Sequence, residues 1–521
     1  MPIEGGTLPA PAPLDQVLRA GLEASPDALA LVSSERAMTW RELDEARLRL
    51  AAGYASLGLA PGDRLASLLP NRIDLVVHYL ACFAAGLVAT PLNYRYTAPE
   101  IDHALEVSGA SALVVHAERA PDVAASRLAG RLPRGTVWYE GAGAGGPRFE
   151  DVAAAPPGAP VPLDPAAPAV VFFTSGSTGP AKGVTHSFET VAWMWAAAAA
   201  AFELTPADAL LPGSSMSHVG SFMWTFGALS AGVRVVVARH YDAGELLPLL
   251  RAQRPTVMAV LPTTLSAVVR DPGARADDFA SLRLCRAGAD KVSVQLEDDF
   301  AVLAGLPLDE GYGMTEVGLA TLNPPSGVIK RGSIGRPVPG VAIAVRDDAG
   351  AEAPPGTVGR VWIRTRSRMI GYWEDPAASA AIVRDGWLDS GDLARADEDG
   401  YLWFFGRKKQ IIVHDGSNIS PQEVEEALSE HPRVALAGVV GVDDALHGES
   451  VRAYVTLAGD GPPPSGADLM AFARARVGYK APEEVVVLDE MPLNPTGKVD
   501  RAGLKRLAED HLHPHGLDGA R

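Results

Sequence analysis

Residues 170–183 read Val-Val-Phe-Phe-Thr-Ser-Gly-Ser-Thr-Gly-Pro-Ala-Lys-Gly, and no other stretch narrows the choice of fold as much. The apolar run reads as a buried strand. It breaks at Thr174 into a loop of small residues, with Ser175, Gly176, Ser177, Thr178 and Gly179 in sequence, and Lys182 soon follows. A strand that opens into such a loop lets backbone N–H groups and hydroxyls converge on an anion, and a polyphosphate suits the pattern. This is not the Walker A spacing, in which Ser or Thr follows the lysine; here Gly183 follows Lys182.

Strand and helix signals alternate on both sides of that loop. Leu14, Val17, Leu18 and Leu22 have the spacing of one helix face. Thr39 with Glu42 forms a capping box that opens a second helix. Strands are expected over 65–69, 87–92 and 113–115, and beyond the loop over 233–237, 257–261 and 282–285. Helical periodicity returns at Asn71. Such alternation implies a parallel sheet layered by helices. Residues 141–168, rich in Gly, Ala and Pro, read as a surface excursion, because the alternation resumes after them. Segments 341–345 and 360–363 look antiparallel and more β-rich. Gly406-Arg407-Lys408-Lys409-Gln410 is a charged joint. Beyond it a helix over 421–429, a strand over 435–440 and a closing helix make a compact set. The expected fold class is α/β: a large N-terminal domain of layered sheets and helices with a β-rich subdomain (residues 1–406), plus a small mobile α+β C-terminal domain (residues 407–521).

Bulk properties agree. A chain of 521 residues exceeds what one growing core holds, so two or more domains are expected. A formal net charge of −17 argues against broad nucleic-acid or anionic-membrane binding. Cys82 and Cys285 are the only cysteines, which points to a reducing compartment and a cytoplasmic location. Residues 1–6 show no signal-peptide pattern. The Ala-rich stretch 191–202 is shorter than the about 20 residues of a membrane span. The tail holding His511, His513 and His515 reads as a frayed terminus, not a metal site.

The loop at 174–183 resembles the phosphate loop of the adenylate-forming superfamily, and further motifs follow in that family's order. They are Gly311-Tyr312-Gly313-Met314-Thr315-Glu316, Trp387-Leu388-Asp389-Ser390-Gly391-Asp392, Gly406-Arg407-Lys408-Lys409, the run 416–425, and Pro492-Leu493-Asn494-Pro495-Thr496-Gly497-Lys498. The resemblance covers nearly the whole chain and implies an enzyme with two half-reactions. A carboxylate attacks the α-phosphate of ATP, releasing pyrophosphate; a thiol then displaces AMP. An anion must approach a polyanion, so charge stabilisation and positioning carry the chemistry.

By resemblance Lys498 is the lysine required for adenylation. Glu316 supplies a hard oxygen to Mg²⁺, and Thr315 a hydroxyl to the α-phosphate. Tyr312 flanks adenine beside Gly313, Asp392 grips the ribose hydroxyls, and Arg407 contacts ribose or phosphate. Gly288-Ala289 resembles the backbone segment along adenine, although Ala287-Gly288-Ala289-Asp290-Lys291 departs from the family's Gly-Gly-Ala-Pro. Lys409 occupies the hinge position, followed by Gln410 where the family often has Asp. Gly416 and Ser417 line the CoA pantetheine tunnel, and Gly448-Glu449 also looks like the CoA-synthetase branch.

The acid-binding wall includes the segment 214–224, with His218, Val219, Gly220 and Phe222, and Met314 nearby. His218 reads as a wall residue, not a general base. Amino-acid-activating relatives place an Asp in this segment; none lies between Leu211 and Trp224, and an unpaired ammonium there would be costly. An apolar fatty or aryl acid is therefore expected. A dicarboxylic acid stays open if Arg286 or Lys291 points inward. The expected partners are a small carboxylic acid, ATP and CoA, with Mg²⁺ as cofactor; a carrier-protein acceptor and a homodimer stay open.

Overall fold

In the computed structural model, which describes residues 2–141, 145–174, 181–288, 292–414, 417–444, 447–459, 461–494 and 498–512, the capping box at Thr39 forms as expected. Its side chain accepts from the Glu42 backbone, Glu42 Oε2 accepts from Thr39 N at 2.7 Å, and the helix Trp40–Ser56 starts there. The first helix does not run as one. It splits into a 3₁₀ turn, Leu14–Gln16, and a short helix, Arg19–Ala24. Apolar spacing predicts which side chains are buried, and Leu14, Val17 and Leu18 are; it does not dictate an unbroken hydrogen-bond ladder.

Contacts divide the chain into two units, Met1–Ala289 with Phe300–Ala344 and Trp362–Asp389, and Asp290–Asp299 with Val345–Val361 and Ser390–Arg521. Among the described residues the first unit holds two large sheets. In one, the strands Leu308–Met314, Leu284–Gly288, Val257–Val260, Ala209–Gly213, Arg234–Val236 and Leu29–Val32 lie parallel in that order. In the other, Pro168–Thr174, Val88–Pro91, Arg64–Leu68, Ala112–His116 and Thr136–Tyr139 do the same. Antiparallel strands close the edges: Gly318–Leu322 beside the first, Lys182–Ser187 and Gly371–Tyr372 beside the second.

Helices pack between these sheets because they are apolar almost all round. Ile73–Ala84 is buried along nearly its whole length, and Tyr79, Phe83, Trp195, Phe222 and Phe226 meet edge-on, tilted or stacked at centroid distances from 4.9 to 6.3 Å. Cys82 and Cys285 are both buried, and burial pushes both thiols well above their usual range, so neither is a nucleophile. Residues 145–168 include a short helix, Phe149–Ala153. Among the described residues no helix is long and apolar enough to cross a membrane.

In the second unit the antiparallel pair Val434–Asp444 and Gly448–Leu457 is flanked by Ile412–His414 and, in parallel, by Glu484–Val487. Alternation sorts its side chains to two faces. Val439, Val451, Ala453 and Val455 meet Val424, Leu428, Leu469 and Ala473 from the helices Pro421–Ser429 and Gly466–Val477. Val440, Val442 and Tyr454 meet Leu504 and Ala508 of Arg501–Leu512. The helix expected over 421–429 has those bounds, and the strand expected over 435–440 runs longer.

Candidate active site

The loop after Thr174 does not lead into a helix. Pro168–Thr174 turns back as the antiparallel strand Lys182–Ser187, with Thr174 opposite Lys182. The helix follows only at Phe188. Ser175, Gly176, Ser177, Thr178 and Gly179 lie outside the described residues. The loop's far end is anchored: His103 Nε2 lies 2.8 Å from Ala181 O, and Trp373 N donates to Gly183 O at 2.7 Å. Gly183 has little room for a side chain, since a Cβ would stand 2.9 Å from Val171 Cγ1 and 3.1 Å from Trp373 Cβ.

Tyr312, Gly313 and Met314 end the strand Leu308–Met314, which is parallel to Leu284–Gly288 and antiparallel to Gly318–Leu322. The register slips between Tyr312 and Gly313. Gly313 is required there: a Cβ would lie 2.3 Å from Gly318 O. Gly288 is crowded too, with a Cβ falling 2.5 Å from the Arg286 guanidinium and 3.0 Å from Gly311 O. Ala289 lies outside the described residues.

Two side chains from elsewhere grip the next two residues. His186 is fully buried and its Nε2 is 2.8 Å from Thr315 O. Burial lowers its pKa to about 4, so the ring is neutral near pH 7 and donates from Nε2 to that carbonyl. Tyr372 donates its hydroxyl to Glu316 Oε1 at 2.9 Å, and Met369 N donates to Glu316 O at 2.7 Å. Burial and the adjacent Glu316 hold the Tyr372 phenol well above its usual range, so it stays a donor. The Lys182 ammonium sits 4.8 Å over the same Tyr372 ring. Lys182 and Glu316, far apart in sequence, thus meet through one tyrosine.

His218 directly precedes the helix Val219–Ser230, and His218, Val219 and Gly220 are half-buried. Phe222 differs from them in burial. It is fully buried among Phe172, Tyr79 and Phe226, at centroid distances of 5.1, 5.4 and 4.9 Å. That complete burial in an aromatic cluster, unlike the half-exposure of 218–220, makes Phe222 a core residue and not a wall residue. Trp224 stacks on Phe202 at 4.4 Å and carries the Arg286 guanidinium 5.2 Å over its ring. Arg286 is buried and donates to Gly311 O at 3.0 Å. Burial lowers its pKa to about 10, against the pull of Asp309 and Glu310.

In the second unit Asp392 and Arg407 are cross-strand partners in one hairpin. Asp392 is buried, Arg407 is exposed, and Arg407 Nε lies 3.2 Å from Asp392 Oδ1. Lys409 is exposed in the 3₁₀ turn Lys408–Gln410, and Lys408 Nζ pairs with Asp348 Oδ1 at 2.6 Å. Ser417 pairs with His414 in a two-strand ladder; Gly416 lies outside the described residues. Lys498 is half-buried in a closed loop: its N–H donates to Asn494 Oδ1 at 3.1 Å, and Asn494 N donates back to Lys498 O at 2.7 Å.

Sequence reasoning missed His186, Tyr372, Asn71 and Asn93. The first two act across more than fifty residues of chain, and no local pattern marks them. The asparagines carried a usable signal: each follows the carboxyl end of a parallel strand, where ligand sites of layered sheets gather.

The AMP-binding enzyme family matches residues 18–373, and the AMP-binding enzyme C-terminal domain matches residues 423–498. A feruloyl-CoA synthase from Amycolatopsis sp is 34% identical over 489 residues, covering 92% of this chain and 96% of that protein. The fatty acid–acyl-carrier-protein ligase ScoC from Streptomyces coeruleorubidus is 33% identical, covering 92% and 93%. Among solved structures, ATP-bound MatB from Rhodopseudomonas palustris superposes with a TM-score of 0.88 at 26% identity, covering 96% of this chain and 100% of that one. The chain therefore belongs to the AMP-binding enzyme family, on the acid–CoA ligase branch of the adenylate-forming enzymes.

Proposed function

We propose that this protein is an AMP-forming ligase that activates an apolar aryl or fatty acid as its acyl-adenylate and passes the acyl group to CoA. The observation that carries this reading is the Tyr372 bridge, which sets the phosphate-loop Lys182 beside Glu316 of the Gly-Tyr-Gly-Met-Thr-Glu strand. In the first half-reaction a carboxylate oxygen bonds to the α-phosphorus of ATP and pyrophosphate leaves. Lys182 and the residues of the Thr-Ser-Gly-Ser-Thr-Gly motif bind the phosphates, Thr315 orients the α-phosphate, and Lys498 offsets the charge of the two anions. Tyr312, Gly288 and Ala289 border adenine, while Asp392 and Arg407 hold the ribose. In the second half-reaction the CoA sulfur bonds to the acyl carbon and AMP leaves. The chain turns about Lys409 between the two, and Gly416 and Ser417 border the pantetheine arm.

Glu316, its carboxylate held by the Tyr372 hydroxyl, fits Mg²⁺, because Mg²⁺ in nucleotide sites takes one or two carboxylates together with substrate phosphates. Bound there, it would neutralise phosphate charge.

His218, Val219, Gly220 and Met314 form the acid wall. Arg286 favours a second reading, a dicarboxylic acid, since it is buried against Trp224. Its guanidinium is instead engaged by Gly311 O and drawn toward Asp309 and Glu310, so an apolar acid is preferred. The relative named for a carrier-protein substrate keeps that acceptor as an alternative.

The test is pyrophosphate release with ATP, Mg²⁺ and a panel of acids, with and without CoA. The panel spans acetate to laurate, benzoate, cinnamates, malonate and several amino acids. CoA-dependent turnover with one apolar class is expected. Turnover with malonate alone would move the assignment to the dicarboxylate, and adenylation without CoA-dependent turnover would move it to a carrier protein.

A further inference from the structure

The loop before the helix Val219–Ser230 is held from two neighbouring strand ends. Arg64–Leu68 and Val88–Pro91 run side by side in parallel. Beyond the first, buried Asn71 donates Nδ2 to Ser214 O at 3.0 Å and accepts from Met216 N at 2.8 Å. Beyond the second, buried Asn93 places Nδ2 3.1 Å from His218 Nε2.

The direction of that last bond follows from its neighbour. Arg95 N donates to the other amide atom of Asn93 at 2.9 Å. A backbone N–H can only donate, so the atom facing Arg95 is the oxygen and the atom facing His218 is the NH₂ group. An amide NH₂ donates and does not accept. His218 Nε2 must then accept, which leaves the ring proton on Nδ1.

We propose that Asn93 is a positioning residue that holds His218 as its uncharged Nδ1–H tautomer in the wall of the acid pocket. The proposal rests on the assignment of His218 to that wall. A charged imidazolium would set two donors against each other across 3.1 Å, so Asn93 selects against charge where an apolar acid must bind. Asn93 thereby acts on acid recognition through His218 and has no part in ATP binding.

The experiment combines ¹⁵N NMR of the histidine-labelled full-length enzyme with steady-state kinetics. His218 is assigned by loss of its signals in His218→Gln. In the parent enzyme Nδ1 should show a protonated shift and Nε2 an unprotonated one. Asn93→Asp is close to isosteric and can still accept from Arg95 N, but its second oxygen can only accept. His218 Nε2 should then carry a proton, and the KM for the acid should rise about tenfold while the KM for ATP stays within about twofold. Should Asn93→Asp not fold, Asn93→Leu removes the donor at similar volume and should give a mixed-tautomer spectrum with a smaller rise in acid KM. A protonated Nε2 in the parent enzyme, or unchanged shifts and acid KM in both variants, would overturn the proposal. An unchanged acid KM in His218→Gln would instead sink the wall assignment, whatever the tautomer.

Discussion

Lys498 and Asp309 show how much a single side chain's setting decides. The two hydrogen bonds that tie Lys498 to Asn494 use the Lys498 backbone, so truncating the side chain should leave both in place. Lys498→Ala is expected to slow adenylation by roughly 10²–10³, the range for losing one preorganised donor. It should spare thioester formation from premade acyl-adenylate. Assays of the two half-reactions separate these, and equal loss in both would contradict the assigned role. Asp309 is fully buried, accepts from Asn323 Nδ2 at 2.9 Å, and is pushed by burial from 3.8 up to about 7. Between those values the native state binds a proton that the unfolded chain has released. Stability is therefore unpenalised below pH 3.8 and declines as pH rises to about 7. Asp309→Asn removes the titration, so its Tm relative to the parent should be higher at pH 8 than at pH 5. Equal differences at both pH values would show that burial does not strain this carboxyl. Neither setting is visible in sequence: an Asp in Leu-Asp-Glu-Gly carries no sign of its depth.

At the scale of elements, local patterns read well where the signal is local. The capping box at Thr39 and the helix Pro421–Ser429 both formed as their residues imply. The hairpin after Thr174 did not announce itself, because a glycine-rich loop reads alike whether a helix or a returning strand follows it. Phe222 reads as pocket from its neighbours in sequence and is core by its complete burial among aromatic rings. The paired strands Leu308–Met314 and Gly318–Leu322 yield a further prediction. A Cβ on Gly313 would meet Gly318 O at 2.3 Å and Leu319 Cα at 3.1 Å, both backbone atoms that cannot swing aside. Gly313→Ala should destabilise the protein by about 2 kcal/mol or more and weaken ATP binding by shifting Tyr312. Thermal unfolding and calorimetric ATP titration read the two effects; an unchanged Tm would mean that the strand pair yields without cost.

At the scale of the molecule, two half-reactions require one site to be remodelled, and the exposed turn Lys408–Gln410 is where that proposal concentrates. Lys409→Pro restricts the turn. It should preserve adenylation and abolish thioester formation, the reverse of Lys498→Ala; an unaffected overall reaction would exclude a hinge at this position. The order and spacing of the motifs by themselves determined the family, the α/β class and the residues that carry charge, since these depend on residue type and short-range spacing. What only the tertiary structure decided is which distant side chains serve them. His186 on Thr315, Tyr372 between Lys182 and Glu316, and Asn93 on His218 each join residues more than fifty positions apart. Such pairs come together only when parallel strands end side by side and helices are packed between sheets, and that arrangement belongs to the whole core, not to any stretch of chain.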